Sequence, residues 1–100
     1  MNELEIRLEG LAATGQTMTY GALARDLGWR MGQLTAALET LMEVDSRTGR
    51  PLRAALCAGK VNGGLPANGF FLKAEELGYF IGDREVLVAS ERAALFKRDI

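Results

Sequence analysis

The sequence predicts a mainly α fold with a small β element, and three observations carry that expectation. Residues 17–28 read as a short, well-delimited helix; residues 33–44 read as a second apolar-striped helix reached through a tight turn. Residues 52–58 then read as an extended run that opens into the glycine-rich stretch 59–69.

The elements follow in order. A first helix is expected over about residues 2–13, where Leu4, Leu8 and Leu11 share a face, Glu3, Glu5, Arg7 and Glu9 point outward, and Ile6 lies off the stripe. Thr14-Gly15-Gln16 breaks it. In the second helix Thr19 is placed to cap the N-terminus, Met18 and Leu23 stand at the two positions of a hydrophobic staple, and Gly28 can end the helix in the left-handed conformation. The third carries Leu34, Leu38, Leu41 and Met42 inward, with Ala37 allowing close approach and Gln33, Ala36, Glu39, Thr40 and Glu43 outward. Residues 45–51 form a polar loop. In the strand that follows, Leu52, Ala54, Leu56 and Ala58 would face one way and Arg53, Ala55 and Cys57 the other, though its alanines also suit a helix. Asn62-Gly63 is a tight-turn pair. Phe70, Ala74 and Leu77 have helical spacing before Gly78, and a last helix runs from Asp83 to Lys97, with an acidic cap and with Lys97 and Arg98 suited to the dipole at its end.

Three helices, a strand and a glycine-rich hairpin in this order describe a winged helix-turn-helix with additional C-terminal helices; a plain helical bundle is the alternative. One hundred residues make a single domain, 1–100. No apolar run approaches the ~18 residues of a membrane span, the first residues are acidic where a secretory signal is basic, and one cysteine makes no internal disulfide. The expectation is a reduced, cytoplasmic protein with no membrane partner. A lone cysteine and no histidine leave no metal or cofactor site of the His/Cys kind. Net charge is −1 but unevenly spread: residues 46–74 contain no acid and carry +5 from Arg47, Arg50, Arg53, Lys60 and Lys73, while the rest sums to −6.

Thr19, Tyr20, Gly21, Ala24 and Gly28 stand where a Thr-Tyr-Gly-x-x-Ala-x-x-x-Gly pattern places them. In this the segment resembles the DNA-binding half of the alkylguanine-DNA alkyltransferases and their alkyltransferase-like relatives. The resemblance is firm over about twelve residues and looser as far as Cys57. It implies a winged helix with a tyrosine near the DNA backbone. The family's reactive cysteine sits in Pro-Cys-His-Arg, whereas Cys57 is followed here by Ala58-Gly59-Lys60, with no histidine to activate the thiol. No catalytic residue is assigned. Gly59-Lys60-Val61-Asn62-Gly63-Gly64 lacks the ending of a phosphate loop and reads as a wing turn; Glu75-Glu76 makes no acid/base pair. Phe70-Phe71 and Tyr79-Phe80 read as core, with one of each pair free to be exposed.

The function expected is a non-enzymatic, DNA-binding module of a regulatory kind. Arg30 and Gln33 lie where a recognition helix meets base edges, and Arg47, Arg50, Arg53 and Lys60 would contact phosphates. Glu39, Glu43 and Asp45 oppose this by repelling the backbone. The alternative is a module on the same scaffold that binds a protein partner or itself and has lost nucleic-acid binding, as the near-neutral charge and the aromatic C-terminal half suggest.

Overall fold

The computed structural model describes residues 2–60 and 63–97. Helix α1, Glu3–Thr14, begins in a reciprocal capping box: the Asn2 side chain accepts from the Glu5 N–H at 2.9 Å, and Glu5 Oε1 accepts from the Asn2 N–H at 3.0 Å. It buries Leu4, Leu8 and Ala12, with Leu11 half-buried and Ile6 exposed. Strand β1, Met18–Thr19, leads directly into α2, Tyr20–Leu27, where Thr19 Oγ1 accepts from the Ala22 N–H at 3.2 Å. Gly28 ends α2 with φ 71°, a conformation that favours glycine. The short turn Gly28-Trp29-Arg30 delivers the chain into α3, Met31–Thr48.

Helix α3 is longer than its sequence pattern predicts. The polar stretch expected to be a loop from Asp45 stays helical through Thr48, whose hydroxyl donates to the Val44 carbonyl at 2.9 Å; Gly49 (φ 73°) makes the stop. Asp45 continues the stripe of Leu34, Leu38 and Leu41 and is fully buried. Its carboxylate is satisfied inside the protein, so the helix has no reason to end there.

The expected strand over residues 52–58 is corrected more sharply. Arg53–Leu56 is a 3-10 turn, and only Cys57–Ala58 is extended, as β2. Alternation of faces fails because all seven residues from Leu52 to Ala58 are buried. This segment is the centre of the molecule. The 3-10 turn packs against α1, α3 and α5, and β2 pairs with β1 in parallel, Met18 opposite Cys57 and Thr19 opposite Ala58. Its alanines let three helices approach, and each fully buried leucine, such as Leu52 and Leu56, contributes roughly 1.5–3 kcal/mol.

After β2 the chain turns through Gly63 and Gly64, both at positive φ, and enters α4, Asn68–Glu76. The tight-turn residue Asn62 lies outside the described residues. Among the described residues β2 has β1 as its partner and no antiparallel hairpin is formed. Phe70 and Phe71 are both buried, edge to face, with ring centroids 5.1 Å apart. Tyr79 is half-buried, while Phe80 is 90% exposed. Helix α5, Arg84–Phe96, starts from Asp83, whose side chain accepts from the Glu85 and Val86 N–H groups at 2.9 and 3.2 Å. It closes the core through Val88 and Leu95; Arg98 lies outside the described residues. The result is a mainly helical fold with a small two-stranded parallel sheet, and no described helix is long and apolar enough to cross a membrane.

Candidate functional site

The candidate DNA-contacting residues singled out by the sequence separate into three places. Arg30, Gln33 and Lys60 are exposed at the N-terminal end of α3. Arg30 is the residue that caps α3, and it makes no side-chain cap bond. Lys60 joins this end because it lines one cleft with Thr19, Tyr20, Gly21, Met31 and Ala58, a space of about 310 Å³ at the openings of α2 and α3. Gly21 is exposed in the first turn of α2 and puts no side chain into this cleft.

Arg47 and Arg50 are exposed at the opposite end of α3. At the helical rise of 1.5 Å per residue, Arg47 stands about 21 Å along the axis from Gln33. Arg50 is also engaged, with its guanidinium 3.6 Å from Glu9.

Arg53 is not at the surface at all, and the expectation that it contacts phosphate is overturned. It is 2% exposed. Its Nε donates to both Asp45 carboxylate oxygens at 3.1 Å, a terminal nitrogen donates to Asp45 Oδ1 at 2.7 Å, and its backbone N–H donates to Asp45 Oδ2 at 3.0 Å. The other terminal nitrogen donates to Glu5 Oε2 at 3.2 Å, with Glu9 at 3.8 Å. A buried guanidinium persists only when paired and hydrogen-bonded in this manner. Asp45 and Glu5 accordingly hold Arg53 above its usual value. The Asn2 N–H first, and then Arg53, hold the Glu5 carboxyl below its own. The sequence held a signal for this: an acid on the apolar stripe of α3, eight residues before an arginine in an otherwise apolar run.

The acids expected to repel a phosphate backbone are mostly neutralised. Asp45 belongs to Arg53. Glu43 receives the Lys73 ammonium at 2.6 Å, which holds its carboxyl below the usual range. Glu39 remains on the exposed face of α3.

Two further groups shape the site: Tyr20, which the resemblance implies lies near the DNA backbone, and Arg92, which was not singled out from sequence. The hydroxyl of Tyr20 accepts from the Ala67 N–H at 3.0 Å, tying α2 to the residue before α4; burial pushes its pKa up to about 12. Arg92 of α5 donates through Nε to the Ala55 carbonyl and through a terminal nitrogen to the Gly64 carbonyl, both at 2.7 Å. Sequence periodicity marks only the inward apolar positions of α5, so a long polar side chain reaching back to two carbonyls carries no pattern. Cys57 is fully buried and its thiol is pushed up to about 12 by desolvation, the opposite of what activates a nucleophile. Among the described residues no group of His, Cys, Asp or Glu is arranged to hold a metal ion. Compared with known proteins, the chain matches no family model, no curated protein and no solved structure.

Proposed function

We propose that the chain is a non-enzymatic DNA-binding module of the winged helix-turn-helix kind that presents the N-terminal end of α3 to duplex DNA. One observation carries the reading: Arg30, Gln33, Lys60 and the first turn of α2 belong to the same end of the molecule. A helix N-terminus with a lysine beside it suits a phosphate, and residues at the start of a recognition helix suit base edges. In this reading Lys60, just after β2, would contact phosphate in the manner of a wing residue. The resemblance of residues 17–28 to the alkyltransferase DNA-binding half supports the same orientation, while the burial of Cys57 supports a role without alkyl transfer. Binding of random duplex should weaken with salt with a log–log slope of about −2 to −3, from ~0.9 per neutralised phosphate. No binding at low salt and high micromolar protein would remove the reading.

The second reading, a protein-interaction module, rests on Phe80. Its ring is 90% exposed in the α4–α5 connection, an unusual place for a large apolar side chain. Sedimentation of the unmodified protein and of Phe80→Ser tests it: concentration-dependent association that Phe80→Ser abolishes would favour this reading in its self-association form.

A further inference from the structure

Lys60 has value to the proposed interface only if the backbone that carries it is held still. Gly59 and Lys60 follow β2, residues 63–67 lead into α4, and the two pieces are drawn together where the Gly59 N–H donates to the Leu65 carbonyl at 2.8 Å. From one side Tyr20 accepts from Ala67. From the other, Arg92 spans two pieces of backbone at once, the Ala55 carbonyl in the buried 3-10 turn and the Gly64 carbonyl in the exposed turn. Gly63 and Gly64 both have positive φ, a conformation that costs glycine little and that supplies no side chain to anchor the turn. The planar guanidinium suits this task because its donors diverge at fixed angles; a lysine ammonium is a single point donor on a flexible stem.

We infer that Arg92 is a positioning residue: bridging Ala55 and Gly64, it braces Gly64 and Leu65 against the core and, through the hydrogen bond from Gly59 to Leu65, holds Lys60 beside the openings of α2 and α3. The inference deepens the DNA-binding reading and rests on it. Arg92 stands on α5, outside the helix-turn-helix, and gives that helix a part in binding through its hold on the loop.

Arg92→Lys is the informative variant, since it keeps the charge and loses the double bridge. Amide hydrogen exchange is read first. The Gly59 and Ala67 amides should exchange at least about tenfold faster in Arg92→Lys, while amides of mid-α3 such as Met42 keep their protection. Unchanged exchange at Gly59 and Ala67 overturns the brace, whatever the protein binds. Loss of protection at Met42 as well would overturn it too, by making Arg92 a general support of the fold. The second reading is a cycle of salt titrations on random duplex. Lys60→Ala should flatten the slope by about 1 in the unmodified protein and by less than half as much in the Arg92→Lys background. An equal effect of Lys60→Ala in both backgrounds overturns the positioning role while leaving DNA binding intact. Failure of the unmodified protein to bind DNA removes the interface and the role together, and is distinguished from failure of the brace by the exchange result.

Discussion

Two arginines near opposite ends of helix α3, Arg53 and Arg30, are used in opposite ways. At the C-terminal end Asp45 points inward, takes Arg53 into the core and draws Glu5 and Glu9 of α1 to the same guanidinium. At the N-terminal end Arg30, Gln33 and the neighbouring Lys60 face solvent. An arginine in an acid-free stretch of sequence is therefore no guide to a positive surface. What decides is which carboxylates the fold brings within about 4 Å and how much water remains around them.

The largest effects should come from breaking the buried end. Asp45→Ala leaves Arg53 without its main partner in the core and should cost about 3–5 kcal/mol in urea unfolding. Replacing the pair together, Arg53→Met with Asp45→Leu, should cost far less than Asp45→Ala alone, because no buried charge is then left unpaired. A single-variant loss under about 1 kcal/mol, as for an exposed ion pair, would contradict the burial of this network. Next in size, Thr19→Ala removes the cap of α2 and should cost about 1 kcal/mol, read by thermal or urea unfolding.

Acid sharpens the comparison further. The folded carboxyl of Glu5 lies below its ordinary value of 4.5, through the Asn2 N–H and then Arg53. A lowered folded value means that the stability it contributes is present above 4.5 and is lost as pH falls through the folded value. The urea midpoint should thus drop on the acid side of 4.5, and Glu5→Gln should lower the midpoint at pH 7 while making that acid limb shallower. An unchanged acid limb in Glu5→Gln would show that other carboxylates govern it.

The elements legible in sequence were those set by local chemistry. The Thr19 cap, the Gly28 stop, the leucine stripe of α3 and the Asp83 start of α5 all depend on residues within a few positions of one another, and each stands where its pattern placed it. What sequence pattern misread depends on distant partners. Asp45 looked like the beginning of a loop because its partner lies eight residues on, and residues 52–58 looked like an alternating strand because a buried, paired arginine mimics an outward-facing one. The parallel pairing of β1 with β2 joins residues far apart in the chain and is not encoded by either dipeptide alone. At the candidate site Arg30, Gln33 and Lys60 could be named from sequence as exposed polar positions, and Tyr20 as part of a motif, but the bond from Ala67 to Tyr20 and the two bonds of Arg92 are long-range and leave no periodic trace.

The most direct measurement sets the near end of α3 against the far end in one experiment, a salt titration of random duplex with two paired variants. Arg30→Ala with Lys60→Ala should flatten the slope by about 1 to 2, whereas Arg47→Ala with Arg50→Ala should leave it within about 0.5 of the unmodified protein. A slope carried by Arg47 and Arg50, with Arg30 and Lys60 dispensable, would contradict the account.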